Sequence, residues 1–211
     1  MDCDFRGKFI VLDGPDGCGK STQARMLSDT VETGGVEVVS FRDPGSTDIG
    51  EKIRDILLDC RHKAMSDNTE VLLYMAARAQ LWKELIKPAL ERGCCVVMDR
   101  WLSSTCAYQG RAGGFGIVNV IDVARLSLER CWPDITVVID IAPDTAFARI
   151  NERNLDRMEL KGSDYHSLVR RGYLELFDMR AELGCRMELV EGSGAPELVQ
   201  EKIKGLLQSI W

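Results

Sequence analysis

The sequence predicts an α/β fold, a five-stranded parallel sheet with helices on both faces. Two observations carry this. Five short apolar, β-branched runs recur at residues 9–12, 36–41, 94–98, 135–141 and 187–190, and helical patterns separate them. Strands that alternate with helices imply right-handed crossovers, and such sheets are buried on both faces. Length is the third constraint. A chain of 211 residues, 45% of them apolar, can bury one substantial core, so a single domain spanning residues 1–211 is expected.

The elements follow in order. After the first run, Ala24, Leu27 and Val31 fall on one helical face, and Gly34-Gly35 supplies a stop before the second run. A helix is expected over residues 49–60. Residues 69–92 read as a long helix, but Pro88 breaks its hydrogen-bond ladder, so an interruption is expected near Lys87, with a short helix from Pro88 until Gly93. Further helices are expected over residues 118–130, 144–153, 164–183 and 196–209. The stretch 151–163 carries Arg153, Arg157, Lys161 and several acids without a clean apolar stripe; it reads either as a solvated connection or as a lid.

The formal net charge of −6 argues against a surface built to neutralise nucleic-acid or lipid phosphates, so phosphate binding, if present, is local. Eight cysteines without a C-x-x-C pair, and only two histidines, make a zinc site a poor reading. The chain needs no disulfide staples, its N-terminus has no secretory h-region, and no apolar run is long enough to cross a bilayer. A cytoplasmic protein with buried free thiols is the expectation.

The strongest chemical signal is Gly14-Pro15-Asp16-Gly17-Cys18-Gly19-Lys20-Ser21, running on to Thr22, between the first strand and the first helix. It matches G-x-x-x-x-G-K-[ST] in the context that the motif requires. Glycines permit a tight loop whose N–H groups face phosphates, Lys20 reaches the β/γ-phosphates, and Ser21 can ligate Mg²⁺. ATP or GTP binding follows. In a doubly wound sheet, ligands lie outside the carboxyl ends of the strands. There the second run is followed by Arg42-Asp43-Pro44-Gly45-Ser46-Thr47 and the third by Asp99-Arg100. One Asp-Arg pair can be a surface ion pair of little value; recurrence at one sheet edge favours function. No N-K-x-D element follows a later strand, which argues against a GTPase, and a mechanical ATPase usually needs more than one small domain. A small kinase accounts for the length, the arginines and the lid-like segment together.

These motifs, in this order, resemble the thymidylate kinases over nearly the whole chain. The resemblance rests on the loop with Asp16, Arg42 to Thr47, Ala76-Ala77-Arg78, Asp99-Arg100 with Ser104-Thr105 and Ala107-Tyr108-Gln109-Gly110, Pro133-Asp134, and Leu155-Asp156-Arg157-Met158-Glu159. It implies a P-loop kinase fold, ATP as phosphoryl donor with Mg²⁺, dTMP as acceptor, and a homodimer. It also implies roles. Asp16 contacts the 3′-hydroxyl of the acceptor, unless it only stabilises the loop as an Asx turn. Arg78 donates to the thymine carbonyl and Tyr74, one turn earlier, stacks on the base; a surface arginine and a core aromatic are the plainer alternatives. Arg100, assisted by Arg42, holds the acceptor phosphate, and Asp99 orders the Mg²⁺ shell. Tyr108 crowds a ribose 2′-hydroxyl. Ser104 and Thr105 bond the base edge and Gln109 completes the base or phosphate contacts, or else the three cap helices. Gly17 stands where some members carry an arginine, so the lid must supply one: Arg153 first, with Arg149 and Arg157 as rivals, each equally readable as a solvated helix charge. Departures from the family pattern are Tyr74 for phenylalanine, Asp43 for glutamate, Ser46 for glycine, Trp101 for tyrosine or histidine, and a slightly short lid. A kinase for dUMP or UMP, or a non-catalytic ATP sensor, remains the alternative. For the dimer, the apolar face of Val71, Met75 and Leu81 is a candidate, as is core packing of the same residues.

Overall fold

The computed structural model describes residues 4–149 and 156–211. The apolar runs become β1 (Phe9–Asp13), β2 (Val38–Arg42), β3 (Cys95–Asp99), β4 (Ile135–Asp140) and β5 (Met187–Glu191), all parallel, in the sheet order β2-β3-β1-β4-β5. Continuous hydrophobicity marks the middle strands: every residue of β1 is buried, whereas the edge strands β2 and β5 are mixed. The helices are α1 (Lys20–Thr33), α2 (Asp48–Leu58), α3 (Asp67–Leu81), α4 (Lys87–Glu91), α5 (Leu102–Thr105), α6 (Ile117–Ser127), α7 (Pro143–Arg149), α8 (Gly162–Leu183) and α9 (Pro196–Ile210).

Alternation along β1 divides the core. Ile10 and Leu12 pack with Leu27 and Val31 of α1 and with Ile203 and Leu207 of α9. Phe9 and Val11 face Met75 of α3, Ala89 of α4, Ile121 of α6 and Leu176 of α8. Val71, Met75 and Leu81 are therefore core residues of the protomer, which settles against their use as a dimer face. Local chemistry sets the helix ends. Thr47 accepts from the Gly50 N–H at 2.9 Å to start α2, Ser66 accepts from the Thr69 N–H at 3.2 Å to start α3, and left-handed Gly184 closes α8. Asp134 accepts from the Phe9 N–H at 2.7 Å, so the Pro133-Asp134 pair fastens the start of β1.

Two expectations need correction. The long helix is not interrupted near Lys87; α3 runs into α4 through a π-helical turn, Trp82–Ile86, in which the Lys87 N–H reaches back to the Trp82 carbonyl. Widening the helix by one residue admits the Pro88 ring and its missing donor without a break. The segment after β3, for which no helix was expected, forms α5 and then a second π-helical turn, Cys106–Ala112. The helix expected over 144–153 begins as α7, and its last residues lie outside the described ones. Cys18, Cys94, Cys95, Cys106 and Cys185 are buried free thiols.

Candidate active site

The phosphate loop joins β1 to α1 with Gly14, Gly17 and Gly19 all at positive φ. At Gly17 the requirement is also steric, because a Cβ there would strike the carbonyl oxygen of Ala146 in α7. The place where some members of the resembled family carry an arginine is thus occupied here by α7. A cleft of about 680 Å³ opens above the loop. Lys20, Ser21, Thr22, Arg42, Asp99 and Arg100 line it, as do Tyr74, Arg78, Ser104, Thr105, Tyr108 and Gln109. Every sequence-predicted site residue from Asp16 to Gln109 is brought together there; Gly14 and Pro15 of the same loop do not line the cleft, and Arg153 falls outside the described residues.

Lys20 folds back on its own loop. Its ammonium donates to the Pro15 carbonyl at 2.9 Å and lies 3.8 Å from Asp16. Ser21 donates to Asp99 Oδ2 at 2.5 Å, setting a hydroxyl and a carboxylate side by side at the mouth of the loop. Among the described residues, no three His, Cys, Asp or Glu side chains are grouped to hold a metal. The Ser21–Asp99 pair still suits Mg²⁺, which takes one or two protein oxygens and completes its shell with phosphates and water.

Arg100 sits at φ 72°, in the left-handed region that a side chain rarely adopts, and stacks 5.1 Å over the Tyr108 ring. Its Nη2 is paired with Asp16, and its Nη1 donates to Ser104 Oγ at 3.0 Å and to the Gly14 carbonyl at 3.3 Å. Tyr108 donates to the other Asp16 oxygen at 2.7 Å. Burial pushes the Asp16 carboxyl up, but Arg100, Lys20 and the Tyr108 hydroxyl outweigh it and lower the pKa from 3.8 to about 2. A depressed carboxylate stabilises the fold above its unfolded pKa and loses that contribution as pH falls through the folded one. Stability should therefore drop by of order 2 kcal/mol between about pH 4 and pH 2 on this account. Urea titrations of the Asp16→Asn variant should show a shallower acid slope; an unchanged slope contradicts the assignment.

At the other end of the cleft Arg78 is almost completely buried. Its Nε donates to Asp43 Oδ2 at 2.7 Å, and its Nη2 to Thr105 Oγ1 at 2.9 Å and the Trp101 carbonyl at 3.3 Å. The surface-arginine alternative is excluded by this burial. Ser104 and Thr105 lie inside α5 and Gln109 in the π-helical turn, so none of the three caps a helix; Gln109 donates to Glu70 at 2.8 Å. Arg42 is paired with Glu51 at 2.8 Å at the rim. Of the three candidate arginines, Arg149 at the end of α7 lines the cleft and donates to the Gly192 carbonyl at 3.2 Å. Arg157 is turned away, bonded to Glu70 at 2.6 Å and to the Leu57 carbonyl at 2.8 Å.

The model of the family described as "Thymidylate kinase" matches residues 12–203. The chain belongs to the thymidylate kinase family. It is similar to the thymidylate kinase of Thermoanaerobacter sp. (strain X514), with 44% identity over 82% of this chain and 84% of that protein. Similarity also extends to those of Symbiobacterium thermophilum, 41% identical over 96% of this chain and 93% of the relative, and Clostridium novyi (strain NT), 36% identical over 96% and 99%. Within this thymidylate kinase family member, sequence reasoning missed several cleft residues. Arg54 of α2 lines the cleft and donates to the Pro44 carbonyl at 3.0 Å; Asp156 and Glu159, within the 151–163 stretch, line it as well. Gly192, Gly194 and Pro196 form the wall after β5. Extending the strand-end rule to β5 finds that wall. Arg54 left no such signal.

Proposed function

We propose that this thymidylate kinase transfers the γ-phosphoryl group of Mg·ATP to the 5′-phosphate of dTMP, giving dTDP and ADP for deoxynucleotide synthesis. The observation that carries the reading is the convergence of Lys20 and Arg100 on one cleft, each beside Asp16. Two cations at adjoining positions offset the repulsion of two phosphates brought together.

In this reading the loop N–H groups and Lys20 bind the donor phosphates, and Ser21 and Asp99 hold Mg²⁺, which neutralises charge on the β/γ oxygens when bound. Arg100, with Arg42, orients the acceptor phosphate. Asp16 takes the 3′-hydroxyl of the nucleotide, which requires it to exchange its contact with Arg100 for one with the sugar. Tyr74 stacks on the base while Arg78, Ser104, Thr105 and Gln109 read its edge, and Tyr108 crowds a 2′-hydroxyl. Arg153 remains the lid arginine of the proposal, with Arg149 as its rival; the anchoring of Arg157 to Glu70 weighs against the third candidate. No general base is needed, because the acceptor phosphate is already largely ionised at neutral pH, and the rate comes from positioning and charge.

No helix among the described residues is long and apolar enough to cross a membrane; a cytoplasmic location is part of the proposal. Assembly as a homodimer is part of the same proposal and has support in the exposed Ile49 and Ile56 of α2, Leu72 of α3 and Val118 of α6.

The test is ADP release from Mg·ATP with dTMP, dUMP, UMP, CMP and AMP offered separately. Strong preference for dTMP is expected. Preference for another monophosphate discards the base-site assignment, and absence of acceptor-dependent release discards the kinase reading in favour of a nucleotide sensor.

A further inference from the structure

Asp13 ends β1 immediately before the phosphate loop and is completely buried. Its Oδ1 accepts from the Gly14 N–H at 2.9 Å, Ser104 Oγ at 2.6 Å and Tyr173 Oη at 2.6 Å, and its Oδ2 accepts from Ser103 Oγ at 2.5 Å. Four donors, drawn from the loop, α5 and α8, use the acceptor capacity of one carboxylate. Neither the motif that follows nor the family resemblance pointed to this residue.

One of the four contacts leads onward. A serine hydroxyl has a single proton; Ser104 Oγ also lies 2.9 Å from Tyr173 Oη, but a carboxylate only accepts, so both hydroxyls at 2.6 Å from Asp13 Oδ1 direct their protons to it. The lone pairs of Ser104 Oγ are then presented to Arg100, whose Nη1 donates to it at 3.0 Å. The carboxylate itself stands 3.9 Å from Nη1 and adds charge attraction without direct contact. Arg100 therefore has two differently held arms. Nη2 is paired with Asp16 at the cleft, while Nη1 is tied through the Ser104 hydroxyl to a fully buried carboxylate.

We propose that Asp13 is the positioning residue for Arg100, setting the guanidinium toward the acceptor phosphate through the Ser104 hydroxyl. The inference rests on the dTMP reading above. Losing the relay leaves Nη1 with only its longer bond to the Gly14 carbonyl, 3.3 Å, so the guanidinium keeps its tie to Asp16 but is less tightly fixed on its other arm.

A buried knot that only held the loop together would act on the whole site alike. A relay acts on the phosphate alone, so the decisive quantity is the preference for dTMP over thymidine, which has the same base and sugar without the phosphate. Dissociation constants for both are to be measured by calorimetry on the intact chain and on Asp13→Ala, Ser104→Ala and Ser103→Ala. Asp13→Ala and Ser104→Ala should each reduce the preference about tenfold, as expected for one charge-assisted hydrogen bond. Ser103→Ala removes a donor from the same carboxylate but lies off the relay, and it should keep the preference within about twofold. Taking the ratio cancels any contact of Ser104 with the base.

Equal losses in the two serine variants, or no loss in Ser104→Ala, overturn the proposal. Should Asp13→Ala fail to fold, the serine pair decides alone. A parent chain that binds dTMP no better than thymidine sinks the substrate reading instead, which keeps the two failures apart.

Discussion

Replacing Lys20 with alanine should leave the fold intact and cost at least about 10³-fold in turnover, the scale on which a preorganised charge or donor at a transferring group acts. The ammonium lies at the cleft, bonded to the Pro15 carbonyl and close to Asp16, and it takes no part in either half of the core. In the reading proposed above, removing it withdraws a positive charge from the donor phosphates, and nearby Arg100, which serves the acceptor phosphate, does not replace it. Lys20→Arg should not rescue the activity, since a planar fork cannot occupy the volume of a compact ammonium inside a closed loop. Thermal unfolding by circular dichroism together with acceptor-dependent ADP release checks both halves of the prediction. Turnover within tenfold of the parent, in a folded variant, removes Lys20 from the mechanism.

Arg78 should give the largest effect on stability. Its guanidinium and the Asp43 carboxylate are both about 1% exposed and lie 2.5 Å apart, so Arg78→Met keeps most of the volume but strands a carboxylate in the interior. Breaking a buried pair from one side typically costs about 3–5 kcal/mol, which for a chain of this size lowers the melting temperature by roughly 10 °C or more. The sign with pH follows. Without its cation Asp43 binds a proton more readily in the folded state, so the deficit should shrink as pH falls. Combining Arg78→Met with Asp43→Leu should recover much of the loss, because the unpaired charge is then gone. A single variant as stable as the parent at neutral pH contradicts this account.

That pair also illustrates what the sequence could and could not disclose. Arg78 and Tyr74 were legible as one helical face, with a base-reading role implied only by the resemblance, yet nothing local says that an arginine in the last turn of α3 is buried. Its burial depends on Asp43, 35 residues away at the end of an edge strand. Asp13 was hidden for the same reason: as the last residue of an apolar run it looks like a strand terminus, and its four donors come from as far as Tyr173. The strands were readable because apolar runs and crossovers are local patterns, and the phosphate loop because its glycines and lysine are contiguous. The π-helical turns were not, since Pro88 signals a break and only the surrounding packing turns that break into a widened helix. In the second such turn the residues that approach the cleft, Tyr108 and Gln109, are consecutive, an arrangement that a motif displays without revealing the helix beneath it.

The strand order has an implication for how activities of this kind diversify. The sheet is two hydrogen-bonded pairs, β2–β3 and β4–β5, which meet only through β1. Arg42, Asp43, Asp99 and Arg100 emerge from the first pair, and the Gly192 to Pro196 wall from the second. In the reading proposed here, Arg42 and Arg100 of the first flank meet the molecule that is phosphorylated, whereas the loop that holds the donor phosphates belongs to β1 and α1. Apart from Asp99, which also serves the metal, the acceptor flank can then accumulate substitutions under its own selection, and a change of acceptor can be engineered or inherited without rebuilding the loop that holds the energy source.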